Sequence, residues 1–572
     1  MSEVEPLKVF FFSDWRIQPL ELAEDLIRSV APLDLIIYGG DDVSRFVPVT
    51  DIAQTMNIDR HTLDSEIMPK DIENVIRALQ EELGREPLDV PRDEPLTLAE
   101  VYGLFRDPTR DNWLSKIASY TRYGVLGVVG NDCRPYHRAF LNVPDVHDIH
   151  ASPAVIGGWG FVGIEGSIYR GATNCIGHVL HADDEVGEHL TRAVENLAIS
   201  SDRLVIVSHT PPAGCQLDYA IRFGFDRLGS ETLREFVLQR QPALVLSGHC
   251  HSCGGKSALM GQTLVVNGAS DDTRLRGTRA AVIELIPDEL PRIEWLDAMQ
   301  FSPPVIPDVG PLRAQKLQSC GITSPEQLLA APADVHKAIQ FGPIRLERLR
   351  AYVQARVTDE PVWLQKLDLP EKLLFYDVET GLNIDGLFGL PQEPWMIAIS
   401  DGNDLTQWIV AKENRKARKA MYEGFLNYLH QYPDRVLCSY SGFGFDDRAV
   451  EVGLSRWFRK GLDAWAKVPK IDLLQRLRKC LALPTWQWSL KHVAKRFGYT
   501  FSQSDLNGFE VGLLYEAYRH FNEPLPIEAI ARYNAEDVTA LVFVAQWAQR
   551  HGAELSGGST SARRQAGQKL SN

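Results

Sequence analysis

The stretch KLLFYDVET (372–380) decides how this chain is read. An apolar, β-forming run leads into Asp377, Val378 and Glu379, which predicts a buried strand with two acids at its end. Successive strand side chains point to opposite faces, so residues 377 and 379 share one face. A lone D-x-E is as readily a pair of surface charges. Two downstream elements change that reading. In SYSGFGFDDR (439–448), Asp446 follows Phe445 at the predicted start of a helix. In YNAEDV (533–538), Tyr533 and Asp537 lie four apart, on one helical face. Four gathered carboxylates are what two hard divalent cations need. Such ions take oxygen ligands, activate water and steady the leaving oxygen of a phosphodiester.

D-x-E, then Phe-Asp, then Tyr-x-x-x-Asp resembles the DEDDy branch of RNase H-like 3′–5′ exonucleases, over about 370–551. The stretch IDLLQRLRKCLALPTWQWSLKHVAKRFGY (471–499) resembles the connector of a subgroup with a YNxxD ending, including its Ser-Leu-Lys motif. The resemblance implies that Asp377, Glu379, Asp446 and Asp537 hold two Mg²⁺ or Mn²⁺, and that Tyr533 orients the attacking water. Asp472 reads either as an auxiliary acid or as the N-cap of the following helix. Basic runs at 412–419 and 478–496 could track a phosphate backbone, with Trp486 and Trp488 either stacking on bases or filling a core.

Upstream, FSPPVIPDVG (301–310) marks a boundary. IPDVGPLRAQKLQSCGITSPEQLLAA, from residue 306, resembles a helix-hairpin-helix unit, and FGPIRLERL (341–349) a partial second copy. That resemblance implies phosphate contacts through Gly310, Gly342, Arg313, Lys316 and Arg345, because backbone N–H groups at helix N-termini attract anions. Asp308 stands where a glycine is common in that family, and a carboxylate there opposes phosphate. The alternative is a packing spacer between domains.

Residues 1–300 alternate apolar runs with amphipathic stretches. KVFFFSD (8–14), LDLIIYGG (33–40), GVLGVVG (124–130), LVIVSHT (204–210) and ALVLSGH (243–249) predict buried strands running into polar ends. Those ends are where α/β sheets place ligands. The charged stretch 51–115 looks like a helical insertion. SDWR (13–16), GGDD (39–42), GND (130–132), SHTPP (208–212) and GHCH (248–251), in that order, resemble the calcineurin-like metallophosphoesterases over about 8–296. The fold implied is a β-sandwich with flanking helices and a two-metal site. By that resemblance Asp41, Asn131, His209 and His249 hold one metal, and Asp14, Asp41 and His251 the other, with Mn²⁺, Fe²⁺ or Zn²⁺ as the ions. Two positions depart from the pattern. Arg16 replaces a histidine, and a guanidinium that keeps its proton cannot ligate a cation. Asp132 replaces the histidine of G-N-H. Cys250 and Cys253 find no second CxxC, His178 and His181 read as surface histidines or outer-site candidates, and Trp159 falls at a strand turn.

The 572-residue length implies several domains, and 44% hydrophobic with 24% charged residues is ordinary for soluble protein. Scattered cysteines, eight in all, and a start lacking a secretory pattern lead to the expectation of a cytoplasmic protein. The net charge of −15 is uneven: residues 1–300 carry 27 Lys and Arg against 45 Asp and Glu, the remainder 33 against 30. The basic balance lies with the acid quartet, where phosphate neutralisation would be needed. The fold class expected is therefore α/β multidomain. It comprises a metallophosphoesterase-like sandwich at 1–300, an all-α connector at 301–360, an RNase H-like domain at 370–551 and a disordered tail at 554–572. The function expected is a 3′–5′ exonuclease on nucleic acid, with DNA favoured over RNA and a degenerate or auxiliary N-terminal domain. The alternatives are hydrolysis at the N-terminal site and a catalytically silent scaffold.

Overall fold

The structure is a computed structural model. It describes residues 4–15, 20–41, 66–83, 86–88, 96–109, 112–169, 178–221, 225–270, 279–297, 316–332, 334–338, 342–382, 392–485, 487–502 and 506–553. The chain forms two compact units, Met1–Ser302 and Pro303–Asn572.

The first unit is built on two six-stranded sheets. In the first sheet β1 (Leu7–Phe12) pairs in parallel with β2 (Leu35–Tyr38), followed by β3 (Val125–Gly127) and β4 (Val146–Asp148). The second sheet holds β5 (Ala154–Ile156), β6 (Trp159–Ile164), β9 (Leu204–Ser208), β10 (Leu244–Ser247), β11 (Lys256–Met260) and β12 (Thr263–Asn267), in the order β11-β12-β10-β9-β6-β5. A two-stranded pair, β7 (Ser167–Ile168) and β8 (Leu180–His181), lies between β6 and β9 in the chain. Antiparallel β13 (Arg279–Leu285) and β14 (Arg292–Asp297) complete the first sheet beside β1.

The pleat explains the sandwich. Val9 and Phe11 join a core with Val205, Val207, Leu244 and Leu246 of the second sheet. Phe10 and Phe12 point the other way, against Ala23, Leu26 and Ile27 of helix α1 (Leu20–Val30). A strand apolar on both faces is what a sheet covered on both sides requires. Of the insertion predicted at 51–115, the described residues include helices α2 (Pro69–Leu83) and α3 (Leu98–Gly103). Helices α4 (Asp183–Leu197) and α5 (Glu231–Arg240) follow β8 and β9 in the chain, and Ser230 caps α5 by accepting from the Leu233 amide at 3.0 Å.

The second unit opens with short helices, among them α6 (Pro325–Ala330) and α7 (Pro343–Thr358), around Leu317, Leu328, Leu346 and Val353. Ala351 and Ala355 of α7 pack on Ala482, so this helical segment docks on the domain that follows. That domain carries a five-stranded mixed sheet: β15 (Leu373–Glu379), β16 (Met396–Ser400), β17 (Leu405–Ile409), β18 (Val436–Ser439) and β19 (Lys470–Asp472). The order is β17-β16-β15-β18-β19, antiparallel through β15–β17 and parallel from β15 to β19. Leu373 and Phe375 face Val538 and Leu541 of the long helix α13 (Ile527–Ala553), while Leu374, Tyr376 and Val378 face the opposite core. Helices α8 (Arg415–Gln431), α9 (Asp446–Trp457), α10 (Leu473–Cys480), α11 (Leu490–Arg496) and α12 (Gly508–Phe521) also belong to the domain, with a shorter helix at Leu462–Lys467.

The tail at 554–572 lies outside the described residues, as do Arg16, Gly310, Arg313 and Trp486. Trp488 is core, 8% exposed, with the Arg478 guanidinium 5.5 Å above its ring, so its faces are not free for bases. No helix among the described residues is long and apolar enough to cross a membrane.

Candidate functional site

In the second unit the central strand β15 delivers Asp377 and Glu379 to one face, as alternation requires. A single amide joins them: Asn534 Nδ2 donates to Asp377 Oδ2 at 2.8 Å and to Glu379 Oε1 at 3.4 Å. Asn534 is completely buried, on α13 between Tyr533 and Asp537. Its carbonyl accepts from Gln407 Nε2 at 3.2 Å, and that same Gln407 nitrogen donates to Ala531 O at 2.9 Å. The amide is thus held with its N–H groups toward the acids.

Asp446 is the first residue of α9, where unpaired backbone N–H groups favour a negative charge. Gly442 is required close by, since a Cβ there would fall 3.0 Å from Asp446 Oδ2 and 2.0 Å from Ser439 Oγ. Asp472 accepts from the Ser441 amide at 3.1 Å and the Gln475 amide at 3.2 Å. It caps α10, which accounts for both amides without a metal. Asp447, next to Asp446, takes the Tyr376 hydroxyl.

Crowding acids in a dry site penalises their ionised forms. Burial, then Glu379, Asp446 and Asp537, push the Asp377 carboxyl well up. Glu379 is raised by burial and Asp537, and Asp446 by burial, Asp447 and Asp472. Asp537 rises to about 6 through burial, moderated by the Tyr533 hydroxyl and by Lys491. Tyr533 itself is raised by burial and by Asp537. The Lys491 ammonium sits 4.5 Å above the Tyr533 ring and donates to Leu506 O. Four crowded acids, Asp377 half-buried and the other three buried, are under-compensated by one nearby ammonium, and Asp537 Oδ1 is buried without a hydrogen-bond partner. An oxygen-only donor set with an orphaned buried oxygen fits divalent cations.

The first unit collects the other predicted group at its strand ends. Asp14 Oδ1 lies 2.9 Å from His251 Nε2, and Asp14 Oδ2 accepts from Ser13 Oγ at 2.6 Å and from the His249 amide at 3.0 Å. Asp41 Oδ1 accepts from the Asp132 amide at 3.0 Å and stands 3.6 Å from His209 Nε2. His209 Nε2 is 3.0 Å from Asn131 Oδ1, while Nδ1 is fixed on Gly39 O at 2.9 Å. His249 lies beside it, rings 5.2 Å apart. All six predicted N-terminal residues therefore lie together. Asp14, Asp41 and His249 sit at φ of 53°, 59° and 61°, conformations that non-glycine residues adopt at a cost and that cluster at functional sites. Close approach also explains Gly130, where a Cβ would meet Asp41 Oδ1 at 2.0 Å.

In the helical segment, Gly342 caps α7 by its backbone alone, Arg345 is exposed and Lys316 half-buried. The sequence reading gave no role to Asn534, Gln407 or Lys491, although Lys491 is the lysine of the Ser-Leu-Lys motif. Asn534 is inside the YNAED motif, and a buried amide beside an acid was the available signal.

Residues 374–549 match the RNase_H_2 family model of the RNase H superfamily. This segment is an RNase H-like domain, and the chain is a metal-dependent phosphodiester hydrolase. No curated protein matches the chain. Among solved structures, a Thermus thermophilus protein is 14% identical, covering 51% of this chain and 100% of its own, with a TM-score of 0.29. A Streptococcus pneumoniae protein described as a predicted phosphoesterase is 12% identical, covering 51% of this chain and 91% of its own, with a TM-score of 0.20. The family B DNA polymerase of Pyrobaculum calidifontis is 14% identical, covering 48% of this chain and 44% of its own, with a TM-score of 0.24. Scores at this level assign neither activity nor substrate.

Proposed function

We propose that the second unit is a 3′–5′ exonuclease, with Asp377, Glu379, Asp446 and Asp537 as its metal ligands and Tyr533 as the residue that orients water. The observation that carries this reading is the Asn534 bridge between two strand-borne carboxylates facing Asp537 on one helix. When bound, two Mg²⁺ or Mn²⁺ supply an activated water and charge stabilisation at the phosphodiester. This chain's own residues then set the geometry. Gln407 orients Asn534, Asn534 aligns Asp377 with Glu379, and the helix N-terminus steadies Asp446. Lys491 partly offsets the acids and lies against Tyr533.

Two exposed aromatic side chains, Phe443 at 42% and Phe445 at 46%, immediately precede Asp446. Bases stack on such rings without sequence preference, which supports a single-stranded substrate. The helical segment, through Gly342, Lys316 and Arg345, joins as a backbone contact. Its presence favours DNA over RNA. The test is polarity: with Mn²⁺, an oligodeoxynucleotide blocked at its 3′ end resists digestion and one blocked at its 5′ end is shortened. Equal digestion of both removes the 3′–5′ assignment.

The assembled Asp14–His251 group supports a second metal centre in the first unit, in an auxiliary role. Asp41, Asn131, His209 and His249 are its ligands, with Asp14 and His251 adjoining, and Mn²⁺, Fe²⁺ or Zn²⁺ as the ion.

A further inference from the structure

A second group of metal-type side chains lies in the first unit, sharing no residue with the Asp14–His251 group. It comprises His150, Glu165 and His181, each supplying one donor atom within 4.8 Å of the other two. Glu165 follows the end of β6, His150 follows β4, and His181 closes β8. Three chain segments thus converge on one carboxylate that is itself 1% exposed.

The spacing of the donor atoms matches a ligand set. Glu165 Oε1 is 3.3 Å from His150 Nε2 and 3.7 Å from His181 Nε2. An imidazole hydrogen-bonded to a carboxylate closes to about 2.7–2.9 Å. Ligand atoms at Zn²⁺ bond lengths around a tetrahedral centre stand about 3.3–3.6 Å apart. His181 Nε2 is moreover buried and has no hydrogen-bond partner, although it faces the carboxylate. A buried polar atom without a partner is costly unless something fills the gap.

The surroundings are built to hold these groups still. Arg138 holds both Glu165 oxygens, with Nε on Oε2 at 2.8 Å and a terminal nitrogen on Oε1, the oxygen that both histidines face, which fixes the carboxylate plane. His150 presents Nδ1 to the backbone, 3.4 Å from the Glu165 amide, and so turns Nε2 toward the carboxylate. His189 stacks on the His150 ring at 4.2 Å and anchors through Nε2 to Gly163 O at 2.9 Å. Arg192 and Glu185 face the cluster from α4, Glu185 at 3.9 Å from His181 Nδ1. Residues that orient ligands in this way are the usual support of a metal site.

We infer that His150, Glu165 and His181 form a further cation site for Zn²⁺ or a similar first-row divalent ion, with a fourth position left to water. Two imidazoles and one carboxylate suit such ions and are poorly matched to Mg²⁺ or Ca²⁺. The site would tie β8 and the chain entering α4 to the end of β6.

The test uses the full chain, stripped with chelator and titrated with Zn²⁺ against a competing chromophoric chelator. The other candidate centres are first disabled by Asp41→Asn, His209→Ala, Asp377→Ala and Asp537→Ala. One tight equivalent of Zn²⁺ is expected to remain. His150→Ala or His181→Ala should then weaken it more than about 100-fold, beyond the cost of losing a supporting residue. Should an alanine variant fold poorly, His181→Gln keeps a polar side chain and should give the same loss. Co²⁺ in place of Zn²⁺ should give visible tetrahedral absorption bands that His181→Gln abolishes. Absence of a tight equivalent in the disabled background, or one untouched by the histidine substitutions, overturns the assignment.

Discussion

The two units gather metal-type side chains by opposite means. In the second unit the acids ride on regular elements, a central strand and two helices, and one buried amide aligns two of them. In the first unit the proposed ligands sit just past strand ends, on backbone bent into the left-handed region at Asp14, Asp41 and His249. The first arrangement stores its cost as electrostatic repulsion among buried carboxylates, the second as backbone strain. Repulsion is relieved directly by a bound cation; backbone strain is relieved only by refolding the loops. The acid site should therefore respond strongly to metal and pH, and the loop site to changes in steric fit.

The largest effect expected is from Asp446→Asn, which removes one ligand and leaves the fold intact. Digestion of single-stranded DNA should fall on the order of 10³-fold, more than the roughly 10–100-fold cost of a supporting residue. Asn534→Ala should fall in that smaller range, with a raised Mn²⁺ requirement, because Asp377 and Glu379 lose their shared donor. An unchanged metal requirement in Asn534→Ala would break the claim that the amide sets ligand geometry.

The pH response follows from the raised acids. Folded carboxyls with pKa above the unfolded value, about 4, hold protons that the unfolded chain releases. Metal-free stability of the second unit is then full below about pH 4 and declines as pH rises through 6, where Asp537 ionises, and above. Bound cations reverse the sense of this, since ionised acids are the ligands. Chemical denaturation from pH 4 to 8, with and without Mn²⁺, should show the two curves diverging upward in pH, and parallel curves would contradict the electrostatic account. Gly130→Ala has the narrowest reach. Its Cβ collides with Asp41, so metal binding in the first unit should drop while digestion by the second stays within about two-fold of wild type.

Much of this was legible in the sequence because the relevant residues lie close along the chain. Period two placed Asp377 with Glu379, and period 3.6 placed Tyr533 with Asp537. The strand ends of the first unit were readable because their polar residues follow apolar runs. Long-range partners were not readable. Gln407 reaches Asn534 across 127 positions, and Lys491 meets Tyr533 from another helix. His181 reads from sequence as a surface histidine or an outer-site candidate, yet it faces Glu165 together with His150, and the 31 positions from His150 to His181 carry no ligand spacing. Asp472 had two readings, and its backbone partners favour the cap.

The most direct measurement compares three full-length proteins on a 5′-labelled single-stranded oligodeoxynucleotide with Mn²⁺: wild type, Asp377→Ala and Asp41→Asn. The account predicts a ladder of products shortened from the 3′ end by wild type and by Asp41→Asn, and none from Asp377→Ala. A ladder retained by Asp377→Ala and lost in Asp41→Asn would place the chemistry in the other unit and contradict it.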